Sequence, residues 1–125
     1  MFEQDYIMRI IKEMVRALLK MLFNIDTESP TADILENVEE KCTLNELIDM
    51  VDAGNINEAE NSLYDIIQTD NLNTLKIALL FYSYLNEQND DFLEEHNFSR
   101  DEIQEGIKSL VSKYGLTDIA TSFLE

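Results

Sequence analysis

The stretch from Asn73 to Gln88, "NTLKIALLFYSYLNEQ", is apolar at positions 75, 77 to 82, 84 and 85. Side chains of that density fall on every side of a helix, and a helix apolar all round is stable only where other elements cover it. This segment is therefore expected at the centre of the fold. Its coverings should be helices as well. Three glycines and one proline in 125 residues are too few for a β-rich chain, which needs turn residues every 8 to 12 positions or so. At 45% apolar content the chain is long enough to close one core. The expectation is a single all-α domain over 1–125, with an N-terminal helix over 1–24, helical hairpins over 29–89 and further helices over 90–125.

Periodicity and caps place the surrounding helices. "FEQDYIMRIIKEMVRALLKMLFN" is apolar at 2, 6, 7, 10, 11, 14, 15, 18, 19 and 22, the spacing of a long amphipathic helix. Its apolar arc is roughly 200° wide, broader than an ordinary surface helix presents, so it needs cover from its own domain on one side and from the domain or a second chain on another. Arg9, Lys12, Arg16 and Lys20 form a narrow basic stripe along it. Ser29-Pro30 has the form of a helix start, with Ser as N-cap and Pro at the first helical position, and Ile34, Leu35 and Val38 would share a face. Thr43 and Glu46 have the spacing of a capping box, which predicts a third helix that stops before Gly54. Asn55 then reads as the N-cap of a fourth helix, with Ile56, Ala59, Leu63, Ile66 and Ile67 on one face. After Asn89, "DDFLEEHN" predicts one or two helical turns with Phe92 and Leu93 inward. Ser99 and Glu102 form a second capping box, Gly115 supplies the stop, and "TDIATSFLE" allows a short terminal helix capped by Thr117.

The net charge is −17, but residues 1–20 sum to +1 and the remaining 105 carry −18. So acidic a body repels phosphate backbones, which argues against nucleic-acid binding. The lone Cys42 has no intrachain disulfide partner, "MFEQD" carries acids where a signal peptide has a basic region, and the apolar run 6–23 is broken by Arg9, Lys12, Glu13, Arg16 and Lys20. A cytoplasmic protein without a membrane span is expected. His96, among Glu94, Glu95 and Asn97, reads as a solvated helix end, and without a second histidine the usual zinc sets cannot be built in one chain. Cys42 reads as a partly buried small hydrophobe. The glycine-rich phosphate loops and the nucleophile elbow are absent, and "NDDFLEE" lacks the alternate spacing of a calcium loop. No catalytic residue, metal or cofactor is expected. Tyr64, Tyr82 and Tyr84 would line any small-molecule pocket, although such tyrosines more often edge the core with their hydroxyls at the surface.

The stretch from Leu47 to Ile67 resembles a tetratricopeptide-type helical hairpin. Gly54 ends the first helix, Asn55 and Ile56 follow, and Ala59 stands where the two helices touch, ahead of the larger Leu63 and Ile66. Over nearly its full length the chain also resembles an uncharacterised family of short acidic bacterial proteins, found chiefly in Firmicutes. The resemblance runs through "MFEQDYIMRIIKEMVRALLK", "GNINEAE", "FYSYLN" and "FSRDEIQEGIKSLVSKYG". That family has no assigned activity, so the resemblance implies a compact helical fold and transfers no site residues. The functional expectation is a non-enzymatic protein-protein interaction module, binding a protein partner or a second copy of itself. Arg9, Lys12, Arg16 and Lys20 are the candidate contact surface and Gly54, Asn55 and Ala59 the hairpin turn. The alternative is peripheral membrane or scaffold attachment through the N-terminal helix.

Overall fold

Six helices make up the regular structure of the described residues: α1 (Phe2–Phe23), α2 (Val38–Asp52), α3 (Ile56–Ile66), α4 (Leu72–Asn86), α5 (Asp90–Glu95) and α6 (Arg100–Lys113). The structure is a computed structural model, and it describes residues 2–28, 30, 31 and 34–116. The Ser29 cap and the terminal helix capped by Thr117 lie outside those residues.

The apolar run centred on Leu79 becomes α4, and eleven of its fifteen residues are buried. α1, α2 and α6 pack on it, and α1 and α6 also touch each other. Side-chain bonds between helix ends fix the directions. Asn86, at the end of α4, donates to the Met8 carbonyl near the start of α1 (2.9 Å), while Lys76, near the start of α4, sits over the Phe23 ring at the end of α1. Likewise Arg100, at the start of α6, bonds the end of α4, and Tyr114, after α6, bonds Thr74 near its start. α1 and α6 therefore run parallel to each other and antiparallel to α4. The core they close includes Ile11, Val15 and Leu19 of α1, Leu79 and Phe81 of α4, and Ile107 and Leu110 of α6.

The region between α1 and Gly54 departs from the expected two helices. Pro30 and Thr31 lie in no helix; the Ile34 N–H donates to the Thr31 carbonyl (3.1 Å), and Leu35 is buried. α2 starts instead at Val38, whose side chain is 75% exposed rather than part of an apolar face. Asn37 caps it by accepting from the Glu40 N–H (3.1 Å). Thr43 is no cap: it lies inside α2 and its hydroxyl donates to the Glu39 carbonyl four residues back (2.9 Å). Without a glycine or proline from 38 to 52, the Thr43–Glu46 spacing had nothing to stop the helix in front of it.

The turn after α2 forms at Gly54, as the sequence indicates. With φ at +90°, Gly54 donates to the Val51 carbonyl (2.9 Å), and the Asn55 N–H donates to the Met50 carbonyl (2.9 Å). This pair of bonds satisfies the carbonyls that the end of α2 would leave open. α3 then starts at Ile56 and packs back against α2, with Ala59 fully buried. Asn55 holds the N-cap position without a side-chain cap bond. The Ser99–Glu102 capping box of α6 forms in full, with the Ser99 N–H donating to the Glu102 carboxylate (2.9 Å).

Candidate functional site: the outer face of α1

Among the described residues, α1 is covered on one side only. Ile11, Met14, Val15, Leu18 and Leu19 are buried, whereas Tyr6 is 63% and Met21 50% exposed. Tyr6, Ile10, Ala17 and Met21 follow one line along the helix, at spacings of four, seven and four. Ile10 and Ala17 are half-buried and continue the line between the two exposed ends. A groove of about 450 Å³ lies along this line, lined by Tyr6, Arg9, Ile10, Glu13, Met14 and Ala17. One cation and one anion, a helical turn apart, border a mainly apolar strip.

The four basic residues divide. Arg16 is half-buried and its Nε donates to the Thr27 carbonyl (2.9 Å), while Lys20 Nζ lies 3.4 Å from the Asp26 carboxylate. Both fasten the segment after α1 back onto the helix that precedes it. Arg9 and Lys12 stay exposed, and together they border a smaller hollow of about 260 Å³ beside Asn86 and Glu87. The continuous four-cation strip is thus reduced to its N-terminal half, and apolar positions on the neighbouring line make up the rest of the surface. Projection of charge alone could not show this, because the tethering residues, Asp26 and the Thr27 carbonyl, lie beyond the helix.

Gly54 and Ala59 serve the α2–α3 junction, which brings an unexpected neighbour. A Cβ placed on Gly54 would lie 2.5 Å from Nε2 of His96. His96 is half-buried, not a solvated end: its ring lies against Gly54 and its Nδ1 donates to the Phe92 carbonyl (2.8 Å). Cys42 is exposed rather than partly buried. Continuation of α2 through Thr43 turns Cys42 away from the face that carries Leu44, Leu47 and Val51.

The three tyrosines do not converge on one pocket. Tyr82 is buried, and its hydroxyl donates to Glu60 (2.6 Å) and lies 3.4 Å from that of Tyr64. Burial first, and then the bond to Glu60, pushes its ionisation far above the ordinary tyrosine range. The expectation of a hydroxyl at the surface fails here because Glu60, half-buried on α3, supplies an acceptor inside. Gly106 makes room for that ring: a Cβ there would lie 2.5 Å from the Tyr82 hydroxyl. Tyr84 instead donates to Asp52 at the end of α2. Above Tyr82 a groove of about 450 Å³ carries Glu60, Asp101, Glu102 and Glu105 beside Tyr64. Among the described residues no group of three or more His, Cys, Asp or Glu side chains is placed to hold a metal ion.

Sequence reasoning passed over Arg100, which is 2% exposed. Its guanidinium donates to the Asn86 carbonyl (3.1 Å) and side chain (3.3 Å), to the Gln88 carbonyl (2.5 Å) and to Asp90. Asn86 passes the connection on to Met8 of α1. The signal was a cation at the first position of α6, where the helix's own dipole favours acids such as Asp101 and Glu102. That position suits the end of α4, whose carbonyls attract a cation.

No helix among the described residues is long and apolar enough to cross a membrane. Comparison with curated proteins finds no match, and comparison with solved structures finds none. A family model does match, over residues 1–115, which takes in all six helices described above. The chain belongs to that family, a family of unknown function (DUF6483).

Proposed function

We propose that the protein is a non-enzymatic interaction module that contacts a protein partner through the outer face of α1. The carrying observation is the line from Tyr6 to Met21, two large exposed apolar side chains joined by the half-buried Ile10 and Ala17. An apolar strip with a polar border is the ordinary composition of a protein contact surface. The α2–α3 hairpin, turned at Gly54 and closed on Ala59, supports the same reading by its likeness to tetratricopeptide hairpins, although fold-level analogy names no ligand. Cytoplasmic residence belongs to this reading and is supported by the exposed thiol of Cys42, which suits a reducing compartment. Affinity capture in the cell of origin tests the proposal. A Tyr6→Glu/Met21→Glu chain should lose a protein that the wild-type chain and a Val38→Glu control both retain. Capture that is indifferent to the α1 substitutions refutes it.

Attachment to an anionic membrane surface is the second reading, favoured by the exposed Arg9 and Lys12 beside Tyr6. Arg16 keeps its charge but is held half-buried on the Thr27 carbonyl, and the Lys20 charge is offset by Asp26, so such a surface would meet a weaker positive strip than four free side chains present. Flotation with vesicles rich in anionic lipid decides it: a chain left at the bottom of the gradient ends the membrane reading.

A further inference from the structure

We infer that the occupant of the α1 groove is a second copy of this chain, its α1 lying antiparallel across a two-fold axis at the level of residues 11 and 12. This rests on the reading of α1 as an interaction surface and names its partner. The first argument is geometric. Reversal of the helix about that level exchanges Tyr6 with Ala17, Arg9 with Met14 and Ile10 with Glu13, so the six lining positions map onto themselves. A surface that pairs with itself about a two-fold needs this property. The large exposed Tyr6 then meets the small Ala17 of the other copy, once at each end of a contact about 16 Å long at the helical rise per residue.

Charge supplies the second argument. Each copy carries −17, so most approaches of one copy to another bring like charges together, as would happen at the groove of Glu60, Asp101, Glu102 and Glu105. The α1 groove contributes one cation and one anion from each copy. The antiparallel arrangement sets Arg9 of each copy level with Met14 of the other and only one residue's rise, about 1.5 Å along the axis, from its Glu13, so attraction occurs twice. Six positions a side fall well short of the roughly 20–30 of a standard stable interface, so the dimer is reversible, with a dissociation constant of roughly 10–100 µM.

Sedimentation equilibrium of the full chain across that concentration range tests the inference. Wild type should follow a monomer–dimer isotherm. Arg9→Glu alone and Glu13→Arg alone should each weaken dimerisation at least about tenfold. An equimolar mixture of the two variants should recover the dimer, because each copy then offers the charge that the other has lost. Circular dichroism checks that both variants, altered at exposed positions, keep their helices. A wild-type chain monomeric throughout, or a mixture no more associated than its components, overturns the second copy as partner. If the chain is monomeric but the α1 substitutions still abolish capture of a different protein, only this inference falls. If capture is unaffected as well, the interaction reading falls with it.

Discussion

Removal of the Arg100 guanidinium should cost far more than removal of the charge that faces it. Arg100→Met keeps the length of the side chain and takes away the donors to the Asn86 carbonyl, the Gln88 carbonyl and the Asn86 side chain. An acceptor left buried without its partner costs about 1–3 kcal/mol, and two main-chain carbonyls are at stake. Asp90 contributes little to this sum. Its side chain is 53% exposed against 2% for Arg100, so after the substitution it rehydrates and gives up no more than an exposed ion pair, at most about 1 kcal/mol. Arg100→Met is therefore expected to lose about 3 kcal/mol, and Asp90→Asn about 0.5–1 kcal/mol. For a urea slope of about 1.5 kcal/mol per molar, the midpoint followed by far-ultraviolet circular dichroism falls by about 2 M for Arg100→Met and by less than about 0.7 M for Asp90→Asn. Equal losses in the two variants would show that the ion pair, not the capping of α4, is what Arg100 supplies. A loss under about 0.5 kcal/mol in Arg100→Met would remove the network's claim to stability altogether.

Three further perturbations check other parts of the structure. Asn37→Ala should destabilise by about 1 kcal/mol and Thr43→Ala by under about 0.5 kcal/mol in the same denaturation assay, because Asn37 caps α2 and Thr43 only bonds back within it; the reverse order would restore a helix start at Thr43. Gly54→Ala combines a φ of +90° with a Cβ 2.5 Å from the His96 ring, so it should cost about 2 kcal/mol in wild type and measurably less in a His96→Ala background, and identical costs in both would deny the contact. Burial, followed by the bond it donates to Asp52, pushes the Tyr84 hydroxyl up to about 12. The fold favours the neutral phenol, so its contribution is complete below the unfolded value near 10 and is lost as pH climbs through the folded value. Denaturation midpoints of Tyr84→Phe should therefore fall less steeply than those of wild type between pH 10 and about 12, and parallel slopes would discount the Asp52 bond.

What the sequence disclosed depended on whether the deciding interaction was local. Gly54, Gly115 and the Ser99–Glu102 box act within one turn of the chain, and all three formed where the residues indicated. α4 was legible for a different reason: apolar side chains all round have only one stable location, whatever the partners are. Thr43–Glu46 has a spacing as good as that of Ser99–Glu102, yet only the second made a cap. The difference lies upstream, where Asn37 starts a helix that runs through Thr43, whereas Asn97 bends the chain at a φ of 56° two residues before Ser99. Motif spacing thus identifies a cap only when something has already ended the preceding element. Arg100, His96 and Tyr82 were hidden because each is settled by a partner far along the chain, respectively Asn86, Gly54 and Glu60.

The candidate site is poorly legible for the same reason, and its form follows from the packing. A roughly 200° apolar arc predicts that α1 needs cover on two sides, but only the structure shows that, among the described residues, α4 and α6 supply one of them and stop short of the line from Tyr6 to Met21. Ile11, Val15 and Leu19 of the α1 core project away from that line, while Met14 belongs both to the core and to the groove lining. Stability and contact are therefore carried largely by different side chains of one helix and should be separable by mutation at the residues not shared. Substitutions at Tyr6 and Met21 are expected to leave the denaturation midpoint within about 0.5 kcal/mol of wild type, the usual effect of an exposed position away from caps and core, while they abolish association. Val15→Ala, on the buried side, should do the reverse at moderate denaturant-free concentrations, with a cost of about 2 kcal/mol from the cavity it leaves and association intact as long as the chain remains folded. If destabilisation and loss of association always travel together, α1 has one role rather than two, and its outer face is an uncovered edge of the core.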